Sequence, residues 1–184
     1  CIKYGIPIYL SAGTLRAVYG ESMELINLVD TEVPFNVGDF QIMGITVPHD
    51  AVEPLQYVFE ADSLRLGILT DLGHLTPHIY KYYCCVDALL LEANHDDVML
   101  AASTYPTFLK MRISGKWGHL SNKQAIEFVN KIDQSRLQHI LFGHISDRNN
   151  CRKALERLVK QNPGIHGKVH YANYKDGCDW IEIV

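Results

Sequence analysis

Three residues of metal-ligating type stand at the far ends of apolar runs. "ITVPHDA" delivers His49, "GILTDLG" delivers Asp71 and "ILFGHIS" delivers His144. In each, an apolar run anchors the backbone and a ligand-type side chain follows at its C-terminal end. Rigid strands hold side chains to the tolerance that a metal or catalytic site needs. Sites in layered α/β folds also lie beyond the carboxyl ends of their strands. On its own, a histidine near a strand end reads first as a hydrogen-bonded structural residue, and an aspartate as a turn or cap. Three together, with glycine close to two of them, point to a metal site. Imidazole and carboxylate ligands suit zinc, iron or manganese.

Those residues need strands to carry them, and the chain supplies them. "IPIYLS" reads as a short strand. Residues 35–47, "FNVGDFQIMGITV", and 55–70, "LQYVFEADSLRLGILT", are β-rich, with "EADS" as a hairpin turn. "TPHIYKYYCCV" is a helix capped by Thr76 with Pro77 at its first position. "DALLLEAN" is a buried strand, and "YPTFLKMRISG" a helix with a proline start and a glycine stop. Residues 121–133 carry the helical stripe Ala125, Ile126, Val129 and Ile132 behind the cap Ser121. Residues 137–146 form a strand, 149–162 a helix ended by Pro163 and Gly164, and 168–173 a last strand. Strand and helix alternate in the second half, so the class is α/β with a β-rich first part.

The chain has 184 residues, enough for one domain with a sizeable core, and 47% of them are hydrophobic. The longest apolar stretches are strand-length, which predicts no transmembrane helix. A net charge of -4 excludes a strongly basic protein, so contact with a polyanion needs a local basic patch or a bound metal. Five cysteines without a CxxC pair read as reduced thiols of a cytoplasmic protein, not as a disulfide framework. The chain opens at Cys1 without methionine, in "CIKYGIPIYLS", which resembles the tail of a helix running into a strand. A domain truncated at its N-terminus is expected, and any targeting segment would have gone with the missing part.

The motifs "FNVGDFQIMGITVPHDAVEPLQYVF", "LGILTDLGHLT", "LLLEANHDDVML", "YPTFLKMRISGKWGHLSNKQA" and "HILFGHISDRNN" together resemble the metallo-β-lactamase fold, most closely its bacterial WalJ/YycJ-like branch. They occur in family order from about Phe35 to Ala154. The resemblance implies an αββα sandwich, of which residues 1–184 would be a partial, single domain. It also implies two divalent metal ions, zinc or manganese, side by side. His49 would bind one, His144 the other, and Asp71 would bridge both, since a carboxylate can hold two cations ~3.5–4 Å apart. Glu92 in "LEAN" and His119 in "WGHLSN" match a catalytic pair of related tRNA 3′-end endonucleases, in which the carboxylate orients the imidazole beside the scissile phosphate. A carboxylate-held imidazole stays protonated more readily and can stabilise phosphoryl charge or protonate a leaving oxygen. The plain alternative is that Glu92 ends a strand and His119 a loop.

Around His119 lie Lys110, Arg112, Lys116 and Lys123, with no acidic residue between the first and last. They could grip a nucleic-acid backbone, and Trp117 could stack on a base. A solvated helix face with a core tryptophan fits the same letters. Lys116, Arg112, Asn122 and His95 are the expected substrate-binding residues, and His74 is a further cleft candidate. His78, His139, His166 and His170 have no motif support.

One family hallmark, HxHxDH, has no counterpart in this chain. Each ion would then keep two protein ligands, short of the three usual for catalytic zinc. Weak metal binding and little hydrolysis are expected of this polypeptide alone. For the intact protein the resemblance implies a metal-dependent phosphodiesterase, a DNA exonuclease-like hydrolase. Hydroxide would attack phosphorus, the metals would act as Lewis acids, and His119 would assist the leaving group. Two other readings stay open. One is a hydrolase of a small cyclic phosphodiester, lactone or thioester. The other is a non-catalytic remnant that binds nucleic acid or a partner through the Lys110–Lys123 surface.

Overall fold

The computed structural model describes residues 1–18, 23–173 and 175–184. Its main feature is a seven-stranded sheet with strands in chain order: β3 (Phe35–Val37), β4 (Phe40–Thr46), β5 (Leu55–Ala61), β6 (Leu64–Leu69), β7 (Ala88–Glu92), β8 (His139–Gly143) and β9 (Val169–Tyr171). β3 to β6 pair antiparallel, and β6 to β9 pair parallel. Beside it, β1 (Ile8–Leu10) and β2 (Ile26–Leu28) form a separate two-stranded parallel sheet. Among the described residues, this pair is the only sheet besides the large one, so the expected sandwich is partial.

The hairpin at β5–β6 turns through Asp62 and Ser63, both with positive φ. That geometry suits the right-handed twist of the flanking strands. The two-residue period then decides which side chains face the core. Gly67 and Leu69 of β6, Leu89 and Leu91 of β7, and Ile140 and Phe142 of β8 point to one face and are buried. Three helices cover that face: α2 (Pro77–Tyr83), α5 (Asn122–Lys131) and α6 (Arg152–Lys160). They contribute Ile79 and Tyr83, Ala125, Phe128 and Val129, and Leu155 and Val159 to one continuous core. The opposite face, with Leu66, Ile68, Leu90 and Leu141, is crossed by C-terminal residues 178–183.

Caps place the helices as the sequence predicts. The Thr76 hydroxyl accepts from the Ile79 amide, and Pro77 follows at the first helical position. Ser121 and Gln124 form a reciprocal capping box on α5. Three short elements had no clear signal: α1 (Ala12–Ala17), β2 and α3 (Asp97–Ala102). Each is too short for a hydrophobic period to register. α4 (Thr107–Ile113) starts behind Pro106 as expected, but it buries none of its side chains. No helix among the described residues is long and apolar enough to cross a membrane.

Candidate metal centre

The sheet explains why distant residues meet. β6, β7 and β8 are parallel and in register, with Leu69 opposite Leu91 and Glu92 opposite Gly143. Their C-terminal ends therefore open on one edge. Asp71 lies two residues past β6, Glu92 is the last residue of β7, and His144 follows β8 directly. β4 is antiparallel to β5, which is antiparallel to β6, so β4 also points to that edge. It hands on His49 three residues beyond its end.

His119 arrives on the loop before α5, which is packed tightly against its neighbours. The Asp50 amide donates to the Trp117 carbonyl (3.0 Å), and the Gly73 amide to that of Pro48 (2.8 Å). A Cβ on Gly118 would lie 2.2 Å from the carbonyl oxygens of Arg112 and Ile113. Only glycine permits that approach.

Asp71 sits at the centre of three imidazoles. Its Oδ1 is 3.8 Å from His49 Nε2, 3.6 Å from His119 Nδ1 and 3.8 Å from His144 Nε2. These separations exceed a hydrogen bond. They leave room for a cation held between nitrogen and oxygen at about 2 Å from each. Asp71, Glu92, His119 and His144 form a candidate metal-binding group, each offering a ligand atom within 4.8 Å of the others.

Glu92 organises the group. Its side chain is fully buried. Oε1 accepts from the Leu120 amide (2.7 Å); Oε2 accepts from the Asp71 amide (3.1 Å), His119 Nδ1 (2.9 Å) and His144 Nδ1 (2.5 Å). Burial pushes its carboxyl up, but the two imidazoles and the Leu120 amide outweigh that and hold it below the usual carboxylate range. The Glu92 hydrogen bond in turn raises His144 above the ordinary histidine value against the effect of its burial.

These bonds select tautomers. A carboxylate can only accept, so His144 presents Nδ1–H to Glu92 and turns Nε2 toward Asp71. His49 Nδ1 meets the Gly118 carbonyl at 3.1 Å, which also only accepts, so its Nε2 is left toward the carboxylates of Asp50 (3.4 Å) and Asp71 (3.8 Å). The donor set therefore fits a divalent ion: two imidazole nitrogens with free lone pairs and an aspartate between them. Asp71 and His144 both adopt the left-handed backbone region, with φ of 53° and 51°. Non-glycine residues held there cluster at functional sites.

The remaining expected residues divide. Lys116 is exposed beside the site, and its carbonyl meets His74 Nδ1 at 2.9 Å. Trp117 is 61% exposed, which rules out the core reading. Arg112 is exposed but paired with Asp50 (2.5 Å), and the guanidinium lowers the Asp50 carboxyl below its usual range. Lys123 pairs with Asp97 (3.2 Å), so the basic stretch is partly neutralised in space by acids that are remote in sequence.

His95 and Asn122 do not face a cleft; both are about 1% exposed. Burial lowers the His95 pKa, and its backbone bridges to Ser121. Asn122 and Asn150 exchange amide hydrogen bonds of 2.9 and 2.8 Å, and Asn150 Nδ2 also donates to the Ala93 carbonyl (2.7 Å). This buried pair ties the residues just after Glu92 at the end of β7 to the start of α5 behind His119 and to the segment that follows His144. Sequence reading included the "NN" doublet in a motif but gave Asn150 no role, because an amide clamp has no spacing of its own. It also paired Glu92 with His119 alone and missed that the same oxygen holds His144.

With this geometry established, similarity to known proteins is informative. The chain is 29% identical over 167 residues to the exodeoxyribonuclease YycJ of Bacillus anthracis, covering 86% of this chain and 62% of that protein. It is 32% identical over 159 residues to the exodeoxyribonuclease WalJ of Streptococcus pneumoniae serotype 2, covering 82% of this chain and 58% of that protein. It thus spans less than two thirds of the length of these relatives. The crystal structure of the metallo-β-lactamase fold protein YhfI from Bacillus subtilis superimposes with a TM-score of 0.68 at 15% identity, covering 97% of this chain and 67% of that one. Residues 3–145 match the family model described as a β-lactamase superfamily domain, and the chain belongs to that superfamily, with the metallo-β-lactamase fold.

Proposed function

We propose that the whole protein is a metal-dependent phosphodiesterase acting on DNA, in the manner of an exonuclease, and that it works in the cytoplasm. The observation that carries the reading is the buried Glu92 carboxylate, which grips His119 and His144 with one oxygen beside Asp71. The exodeoxyribonuclease names of the relatives support the choice of DNA. The five unpaired cysteines support a reducing compartment.

His49, Asp71 and His144 would hold two divalent ions, zinc or manganese, with Asp71 shared. Bound there, such ions supply Lewis-acid stabilisation of charge on the phosphoryl oxygens. Glu92 fixes the His119 ring through Nδ1, leaving Nε2 to hold a proton for the leaving oxygen. Lys116 and Arg112 lie close enough in sequence to His119 to steady the flanking phosphates, Arg112 after exchange from Asp50. This chain by itself offers two protein ligands per ion, so alone it holds metal weakly and cleaves little.

End-labelled DNA oligonucleotides test the reading. With manganese or zinc, the full-length product of the gene should shorten them progressively, and His119→Ala should slow cleavage at least about 100-fold. Cyclic phosphodiesters and lactones should be poor substrates. Undiminished cleavage by the variant, or a preference for a lactone, would overturn it.

A further inference from the structure

The shoulder beside the site is built from side chains that a protein normally buries. α4 buries none of its residues, and Phe108 and Met111, three apart on one helical face, are 72% and 68% exposed. The chain then turns back through Gly115, whose amide bonds to the Arg112 carbonyl, and presents Trp117. Isolated exposed apolar residues are ordinary, but a tryptophan, a phenylalanine and a methionine within ten positions are not.

This shoulder is rigidly joined to the candidate centre. The carbonyl of Trp117 accepts from Asp50, that of Gly118 meets His49, and His119 follows at once. The Trp117 ring also stands edge-on to His74, with centroids 6.5 Å apart. Its charge is cationic where it is not neutralised. Lys116 is exposed and, among the described residues, its ammonium makes no ion pair. Among the described residues, the Lys110 ammonium donates to the Ala101 carbonyl and makes no ion pair. Asp50 and Asp97 already hold cations, Arg112 and Lys123, and Asp71 lies inward among the imidazoles of the centre.

We infer that this shoulder is a landing platform for an unpaired polynucleotide end. Trp117 stacks on the base next to the phosphate at the centre, Phe108 and Met111 take bases further along, and Lys116 and Lys110 meet their phosphates. The inference rests on the phosphodiester reading and adds the strand state of the substrate. Base faces inside a duplex are covered by their neighbours, so several apolar side chains in series can be used only by bases taken out of the stack. Lysines interleaved with them match the phosphates between those bases.

The test is binding by this chain in a chelator, read by fluorescence anisotropy at low salt. The probes are a fluorescein-labelled twelve-nucleotide oligothymidylate and a blunt duplex of the same length. The single strand should bind more tightly. Trp117→Ala should weaken it at least about fivefold, Trp117→Phe should retain most of the affinity, and duplex binding should barely change. Lys116→Ala should flatten the salt dependence. Circular dichroism confirms that each variant is folded. The inference is overturned if neither probe binds, if the duplex binds as tightly, or if Trp117→Ala leaves single-strand affinity intact. It is also overturned if sedimentation shows a dimer that Phe108→Ala abolishes, because a second copy then covers this face. No metal is present, so failure here is separate from failure of the cleavage test above.

Discussion

An isolated carboxyl group in a protein interior normally takes up a proton. Glu92 stays ionised because two imidazoles and two amides converge on it. The consequence for stability has a sign that can be worked out. Its folded pKa is lowered, so its contribution is present above the ordinary glutamate value of ~4.3 and is lost as pH falls through the folded one. His144 is raised, so its contribution is present below ~6.5 and is lost as pH rises through its folded value. The pair is therefore worth most between pH ~4.3 and ~6.5. In urea unfolding with chelator present, Glu92→Gln should cost about 2 kcal/mol or more in that window, and less on either side. A flat difference across pH would show that the carboxylate is not what holds the two imidazoles.

At the scale of elements, position follows from direction. β4, β6, β7 and β8 run the same way, so their ends share an edge, and loops of two or three residues suffice to bring His49 and Asp71 to it. The His119 loop has no strand to guide it and depends on close backbone contact instead. Gly118→Ala should cost about 1–3 kcal/mol in urea unfolding, because carbonyl oxygens cannot yield as a flexible side chain can. Gly164→Ala is the control. A Cβ there meets nothing within 4 Å, and the change should stay within about 0.5 kcal/mol. Equal effects of the two would remove the case for a constrained loop.

For the whole molecule the limiting quantity is ligand number. The structure gathers His49, Asp71 and His144, and under the two-ion arrangement proposed above these three would give each ion two protein ligands. Equilibrium dialysis of this chain against zinc should show weak, pH-dependent uptake, reduced further in Asp71→Asn. Two tightly held ions per chain would contradict that arithmetic. The superfamily assignment does not alter it, since the relatives are longer proteins of which this chain spans 62% and 58%.

The sequence alone determined that most of the strands and helices form, though not α1, β2 or α3 and not every boundary. Apolar period, caps such as Thr76 and Ser121, and the Pro77 start are local signals, and each was legible in a few adjacent letters. His49, Asp71 and His144 could be named because they follow strand-like apolar runs, and Glu92 and His119 because their motifs resemble those of a known family. Only the tertiary structure decided what surrounds each one. It buried His95 and Asn122, exposed Trp117, set Asp50 against Arg112 and Asp97 against Lys123, and brought the end of β7 and the start of α5 together at Asn150. Burial and pairing arise between segments that are distant along the chain, so no local stretch encodes them.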